Sequence, residues 1–442
     1  MAYRGMTFCV WPIHIYLCVT RMTERLHLRH GDNLFIIDVT APAPPPCVRF
    51  VLDERGMKMS KSLGNTISPV DIIDGGSNQK ENPPLGADTL RLWVSSVDYT
   101  NDVCIGGNIM KQIAESYRKL RNTLRYLIGN LNDFDIEKDL VPIEQMASLD
   151  RYILGRLTEV VAEVETAYEN FQFYKVNSAL SQFAVTDLSA FYLDVAKDRL
   201  YISTKEEFRR RSCQTVLYHL LQQSVVIMAP IVPHMAEDVW QNLPYKPPTS
   251  SVFEYGWVKP QDHFPPHDKE LWERLKLLKN DVNVCIEGAR RAKEAGASQE
   301  MQVVLYVPEG IDRKGGEGPQ ASTKEFKAAL TGMRGDDVIL VQPESTNGID
   351  DLRFIFLTSQ VSLVETMEEL LERCPTYHVT AELSESGVAV GVKKANGHKC
   401  DRCWFYSDSV GDVTEHPEIC PRCADVVVRD GHVLEQAAAV DA

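Results

Sequence analysis

Apolar positions recur with a helical period through the middle of the chain. Ile109, Ile113, Leu120, Leu124, Leu127 and Leu131 are separated by three, four or seven residues, which predicts one long amphipathic helix from about 109 to 131. Leu149, Ile153, Leu157, Val161, Val164 and Tyr168 predict a second helix, ended near Asn170. Phe171, Phe173, Val176, Leu180, Phe183, Leu188, Phe191 and Val195 mark a third region, of one helix or two. Val216, Leu220, Val225 and Met228 predict another, stopped by Pro230 and Pro233, and Met235 to Trp240 begins a short one. Short connections imply antiparallel neighbours, so 107–260 reads as a helical bundle whose stripes are core. His234, behind Pro233, fits a structural corner at a helix entry. Beyond Pro247-Pro248 and the Pro260 to Pro266 stretch, Leu271, Leu275, Leu278, Val282, Val284 and Ile286 predict a further helix. Arg290, Arg291 and Lys293 near its end suit the C-terminal dipole and also lie in reach of a phosphate. The period then shifts to β: Val303–Val307, Val338–Val341, Phe354–Leu357 and Val388–Val392 are short strand candidates, making 261–395 a helix plus a small α+β unit.

Upstream of the bundle the pattern is less regular. In 1–47 an apolar run, Phe8 to Val19, is broken by Pro12 and followed by Thr20-Arg21-Met22-Thr23-Glu24-Arg25, a poor signal-peptide cleavage site. The segment ends in the stiff Ala41-Pro42-Ala43-Pro44-Pro45-Pro46-Cys47 and carries no chemistry; it reads as a poorly packed leader or an artefact of gene annotation. From Phe50 to Asp53 a short strand is predicted, and Glu54-Arg55-Gly56 is turn-like. Asp88 is placed to cap a short helix bearing Leu90, Leu92 and Trp93, and Asn78–Pro84 reads as a surface insertion.

Composition sharpens this only in places. With 442 residues, 44% hydrophobic and 25% charged, the chain is globular, not disordered or fibrous, and long enough for about three domains. A net charge of -15 argues against broad nucleic-acid binding, although a local basic face can hide in an acidic total. No apolar run reaches the roughly 18 residues of a membrane span. Eleven cysteines, four of them in two C-x-x-C pairs, point to metal binding in a reducing compartment instead of a secreted disulfide scaffold.

Three stretches carry candidate chemistry. In Met57-Lys58-Met59-Ser60-Lys61-Ser62-Leu63-Gly64-Asn65, two lysines among small hydroxyls form a cationic loop. Lys58 and Lys61 can set ammonium groups on a polyphosphate while Ser60, Ser62 and backbone N–H groups donate to its oxygens. By composition alone such a loop is more often an ordinary solvated turn. Within the 109–131 helix, Lys111, Arg118, Arg121 and Arg125 form a basic stripe, with Lys119 nearby and Glu115 the acid among them. Most such stripes are solvated faces, but the sign bias in an acidic chain suits a phosphate backbone. In the tail, Cys400-Asp401-Arg402-Cys403 and Cys420-Pro421-Arg422-Cys423 are separated by sixteen positions, the spacing of a four-thiolate zinc site; two disulfides are the alternative. Four protein ligands leave no open coordination position, so the metal would be structural. Arg402 and Arg422 occupy matching places in the two turns, and Trp404 is available to stack on a base. The acidic remainder of the tail (Asp408, Asp412, Glu415, Glu418, Asp425) weighs against a broad basic footprint.

Lys58-Met59-Ser60-Lys61-Ser62 resembles the KMSKS signature of class I aminoacyl-tRNA synthetases, and its frame from Leu52 to Asn65 resembles the isoleucyl, valyl and leucyl group. Ser116-Tyr117-Arg118-Lys119-Leu120-Arg121-Asn122-Thr123-Leu124-Arg125-Tyr126 is similar to the first helix of the isoleucyl-tRNA synthetase anticodon-binding bundle. A four-cysteine ending is likewise a feature of the bacterial or organellar isoleucyl family. The resemblance covers about 48–428. It implies a mainly α chain: the end of a class I nucleotide-binding domain (48–106), the anticodon bundle, the α+β unit, a zinc knuckle (396–428) and a tail (429–442). It further implies that Lys58 and Lys61 stabilise amino-acid adenylation with ATP and magnesium, one structural zinc, and binding of tRNA and isoleucine by a monomer in the cytoplasm or an organelle. The family's HIGH motif is missing: Trp11-Pro12-Ile13-His14 and Arg29-His30-Gly31-Asp32 are the nearest strings. The expectation is therefore a C-terminal portion, lacking amino-acid pocket and editing domain, that is either a truncated ligase or a non-catalytic tRNA-binding module and does not adenylate isoleucine unaided.

Overall fold

Helices carry most of the chain. The computed structural model describes residues 50–259, 262–308, 323–333 and 351–440, the last few from 432 by backbone alone. Ahead of these it describes the backbone of two hairpins, β1 (Cys9–Trp11) with β2 (His14–Tyr16) and β3 (Glu24–His30) with β4 (Asn33–Val39). The rest of the leader, and the strand expected at Val338–Val341, lie outside the described residues.

The chain divides into two compact units that interleave in sequence: Met1–Asn132, Leu157–Ser189 and Tyr218–His263 form one; Asp133–Arg156, Ala190–Leu217 and Phe264–Ala442 form the other. In the first, β5 (Val51–Leu52) pairs parallel with β6 (Val103–Cys104). Between them run α1 (Pro69–Ile73) and α2 (Ala87–Ser96). Met59, Ile72, Trp93, Ile105 and Met110 close a small core over this pair. α3 (Gly107–Gly129) is the long helix that the apolar stripe predicts; Leu120, Leu124 and Leu127 are buried, and Ile109 and Ile113 lean on the Trp93 core.

Asp88 does something other than cap its own helix. It lies inside α2, which starts after Gly86, and is buried. One oxygen accepts from the Met235 N–H at 2.8 Å and the other from Arg91 at 2.8 Å. It thereby caps α8 (Pro233–Gln241), whose N-cap position, Val232, has no side chain able to accept. His234 sits exposed at this corner, as the Pro-x-x-Pro-His phrase suggests.

α4 (Ser148–Glu169) and α7 (Phe208–Met228) each have residues in both units. The region expected to be one helix or two is a single helical run: α5 (Phe173–Gln182), a wider π-helical stretch (Phe183–Tyr192) and α6 (Leu193–Tyr201). α9 (Val252–Tyr255) is a short turn of helix after the Pro-Pro pair.

The second unit contains a four-stranded sheet in the order β8 (Gln360–Val364), β7 (Met301–Tyr306), β10 (Ala389–Lys394), β9 (Tyr377–Val379). β7 and β8 are parallel and the other pairings antiparallel. α10 (Lys269–Arg291) packs Trp272, Leu275, Leu278, Val282 and Ile286 into this unit's core, whereas Val284, expected on the same stripe, is 63% exposed. α11 (Thr323–Gly332) and α13 (Met367–Arg373) complete the α+β portion. Phe354–Leu357, expected as a strand, belongs instead to α12 (Leu352–Phe356). A four-residue apolar run fits either period. Here Asp351 decides it, its carboxylate accepting from the Arg353 N–H at 2.8 Å while Leu357 ends the turn at φ 58°. Deeper in the unit, Asp150 is fully buried and satisfied: Arg199 binds both of its oxygens (2.9 and 2.8 Å), with Tyr192 and Ser212 hydroxyls donating as well. No helix among the described residues is long and apolar enough to cross a membrane.

Candidate functional site

The Lys58–Lys61 loop is anchored at its centre and exposed at its cations. Met59 is buried among Trp93, Ile105 and Met110, so the lysines on either side of it are turned outward. Lys58 extends β5's end by an antiparallel bridge to Leu52, and its ammonium lies 4.6 Å from the Phe50 ring centroid. Ser60 opens a 3-10 turn over Lys61–Leu63, its Oγ accepting from the Leu63 N–H at 3.3 Å. Ser60 and Ser62 hydroxyls are 3.1 Å apart. Gly64 closes the turn at φ 64°, a left-handed conformation that a Cβ would strain.

Side chains outside the Lys-Ser string hold this shape. Asp53 accepts from the Arg55 and Met57 N–H groups at 2.9 Å each. Asn65 accepts from the Ser60 N–H at 2.9 Å and donates to Asp53 at 3.0 Å and to the Lys58 carbonyl at 3.4 Å. These bonds, the Asn65 amide foremost, hold the Asp53 carboxyl below the usual carboxylate range. Glu54 accepts from the Asn108 N–H at 2.6 Å and its side-chain amide at 3.1 Å, capping α3 from across the loop. In the sequence Asp53, Glu54 and Asn65 carry only turn and loop signals; the hydrogen bonds that hold the loop follow from their polar side chains flanking it. Two exposed ammonium groups beside the Ser60 and Ser62 hydroxyls form a cradle suited to a polyphosphate.

Lys111, Arg118, Arg121 and Arg125 all lie on the exposed side of α3. Lys111, Arg118 and Arg125 recur every seven residues, about 10 Å apart along one line. Arg118 pairs with Glu115 at 2.8 Å and Arg121 with Asp238 at 3.0 Å. With both partners of each pair more than half exposed, these pairs are weak and exchangeable for an anion.

In the second unit the four cysteines converge. Their sulfurs all lie within 4.8 Å of one another, Cys403 and Cys420 at 3.9 Å. A tetrahedral zinc with bonds of about 2.3 Å spaces its sulfurs by roughly 3.8 Å, so the quartet fits the ion. Cys400, Cys420 and Cys423 are buried, and the Cys420 N–H donates to Cys400 Sγ at 3.3 Å. Hydrogen bonds from the other three thiols pull Cys400 toward the thiolate. Cys423 lies in the first turn of α14 (Pro421–Val440). On either side of the first pair, β11 (His398–Lys399) and β12 (Tyr406–Ser407) form a two-stranded ribbon.

The three other residues expected to meet nucleic acid part company here. Arg422 is turned inward: it makes two hydrogen bonds to buried Asp198 at 2.7 and 2.8 Å, with its guanidinium 5.1 Å from the Phe354 ring. Arg402 donates to the Ile202 carbonyl at 2.8 Å and approaches Cys423 Sγ at 3.9 Å. These two arginines tie the knuckle to α6 in place of offering a contact surface. Trp404 is 59% exposed at φ 68°, with the Lys399 ammonium 5.2 Å from its ring. Arg290 is spent locally, on Gly296 and Ser298.

Comparison with known proteins follows the same segments. Residues 47–106 match the family of tRNA synthetases class I (I, L, M and V), 150–305 the anticodon-binding domain of tRNA ligase, and 397–426 the zinc finger found in FPG and IleRS. Isoleucine–tRNA ligase of Thermosynechococcus vestitus is 48% identical over 377 residues, 85% of this chain and 37% of that protein. The enzyme of the same name from Crocosphaera subtropica is 48% identical over 386 residues, 86% of this chain and 37% of that protein. The chain thus spans little more than a third of the length of these relatives. Among solved structures, a ternary complex of LeuRS, tRNA and LeuAMS from Agrobacterium radiobacter K84 is similar at 16% identity and a TM-score of 0.34, over 60% of this chain and 26% of that one, too slight a likeness to bear an argument.

Proposed function

We propose that this chain, which belongs with the C-terminal portion of the isoleucyl-tRNA synthetases, serves the ATP-dependent attachment of isoleucine to tRNA, supplying the mobile phosphate contact and the tRNA-holding surface. The observation that carries the proposal is the exposed Lys58–Lys61 loop set in a chain 47–48% identical to isoleucine–tRNA ligases over most of its length. In the first step an isoleucine carboxylate oxygen attacks the α-phosphorus of ATP and pyrophosphate leaves. Charge then builds on the β- and γ-phosphates, where Lys58 and Lys61 are free to follow it and Ser60 and Ser62 to donate. In the second step a terminal ribose hydroxyl of tRNA attacks the acyl carbonyl and AMP leaves; the Lys111, Arg118 and Arg125 line on α3 would hold the tRNA backbone. Cys400, Cys403, Cys420 and Cys423 would hold one zinc, whose contribution is to fold the knuckle. The chain acts as a monomer, in the cytoplasm or in an organelle.

Isoleucine-dependent exchange of pyrophosphate into ATP by the purified chain tests the adenylation step. Filter binding of tRNA against a generic RNA of equal length tests the holding step. Exchange that K58A/K61A abolishes, together with selective tRNA binding, assigns both roles to this chain. Selective tRNA binding without exchange confines it to the tRNA-binding role, and neither signal overturns the proposal.

A further inference from the structure

We propose that Asp53 and Asn65 form a latch that positions Lys58 and Lys61, so that opening of this one side-chain pair governs how the loop takes up a triphosphate; the triphosphate part rests on the function proposed above. The two residues are twelve positions apart and stand at the two stems of the loop. One Asp53 oxygen gathers the Arg55 and Met57 N–H groups on the incoming stem. The other receives the Asn65 amide, whose carbonyl oxygen in turn takes the Ser60 N–H on the outgoing stem. The amide also reaches the carbonyl of Lys58 itself. Every polar atom of the two side chains is thus spent on the backbone that carries the lysines, or on the partner side chain. Met59 is gripped by the core and Lys58 is bridged to Leu52 with its ammonium near the Phe50 ring, whereas Lys61, Ser62 and Leu63 are exposed, so on the outgoing stem the Asn65 amide and the Ser60 cap of the turn set the direction of Lys61. A residue that acts in this way touches no substrate and is a positioning residue.

The pairing has a donor and an acceptor side, and this makes it testable by exchange. N65D keeps the oxygen that serves Ser60 but turns the donor facing Asp53 into a second carboxylate oxygen. D53N keeps the oxygen that serves Arg55 and Met57 but opposes two amide donors. D53N/N65D restores one donor facing one acceptor across the same gap. The full chain and the three variants are treated with trypsin under native conditions, and cleavage after Lys58 and Lys61 is timed by mass spectrometry, with and without MgATP; a melting curve accompanies each. Cleavage of a transiently opened segment follows its open population. Each single variant is expected to be cut there about tenfold faster or more, with the melting temperature of the second unit unmoved, and the double exchange to return most of the protection. MgATP is expected to slow cleavage of the parent and to do so only at higher concentration in the single variants. Cleavage of the single variants at the parent's rate, or acceleration that the double exchange leaves uncorrected, overturns the latch. A parent that MgATP fails to protect, with the variants still cut faster, overturns the triphosphate role and leaves the latch standing.

Discussion

Replacing Asp198 by Asn should be among the most damaging single-atom changes available to this chain. The side chains of Asp198 and Arg422 are 7% and 14% exposed, and they meet through two charged hydrogen bonds. Burial opposes the charge on Asp198, but Arg422 first, then Arg209 and Arg199, outweigh it and hold the carboxyl below its ordinary range. Asn keeps the shape and removes the charge, leaving guanidinium groups in a site that water reaches poorly. Stranding one member of a buried ion pair costs about 3–5 kcal/mol. For a cooperative unit of this size each kcal/mol moves the melting point by roughly 2–4 °C, so D198N should melt on the order of 10 °C lower. The assay is thermal unfolding of the zinc-loaded chain, followed by helical circular dichroism. Replacing both partners by apolar residues of similar size, D198L/R422M, should recover most of the loss, because the cost lies in the stranded charge more than in the missing bond. A D198N chain within about 1 kcal/mol of the parent would refute the reasoning, since that is the worth of a solvated surface pair.

The chain should carry one zinc, which C400S/C403S loses, and a chelator should lower the melting point of the parent but leave that variant unchanged. Burial opposes the charge of Asp133, yet hydrogen bonds from Arg210 and Gln214 and the nearby guanidinium charges depress its carboxyl pKa. Its contribution to stability is therefore complete above the unfolded value of about 3.9 and is lost as pH falls through the folded one; the urea midpoint should be flat from neutrality to about pH 5 and fall below pH 4, less so in D133N. Gly397 sits at φ 84° with the Ser407 backbone 2.2 Å from where a Cβ would stand, so G397A should cost several kcal/mol and broaden zinc release, measured by chelator competition. Exchanging Lys111, Arg118 and Arg125 for Gln together should flatten the salt dependence of tRNA binding by about two to three charges; an unchanged slope would place the RNA elsewhere.

What could be read from the chain, and what could not, follows the reach of the interactions involved. The α3 and α4 stripes were legible because a period repeated over several turns leaves only one way to bury itself. The cysteine pairs were legible because a tight turn with two thiols serves few purposes besides a metal. α13 announced itself in Thr366-Met367-Glu368-Glu369, a helix-start phrase that went unread; the Thr366 hydroxyl accepts from the Glu369 N–H at 3.2 Å. α12 was misread because its deciding residue, Asp351, lies just outside the apolar run. Asp88 was misread for the opposite reason: its helical surroundings suggested a cap, but the N–H it serves is 147 residues away.

The arginines of the knuckle show the same limit where it touches function. Arg402 and Arg422 look alike in the sequence, each the third residue of a C-x-x-C turn, and symmetry suggested a paired contact surface. Yet the partner of Arg422 lies 224 positions upstream on α6, and that of Arg402 lies 200 upstream. No local pattern distinguishes a guanidinium bound for solvent from one bound for a distant carboxylate, because the charge is the same and only the tertiary partner differs. Desolvating an arginine without a partner is expensive, so an acid already buried on the neighbouring helix determines where it goes. Once both arginines are spent, what the knuckle offers a base among its exposed acids is Trp404 with Lys399 over its ring, a surface for stacking instead of charge neutralisation. If this knuckle meets RNA, W404A should therefore weaken binding with the salt slope preserved, the opposite signature to removing the α3 line, and a loss of slope in W404A would show that the knuckle acts through its charges after all.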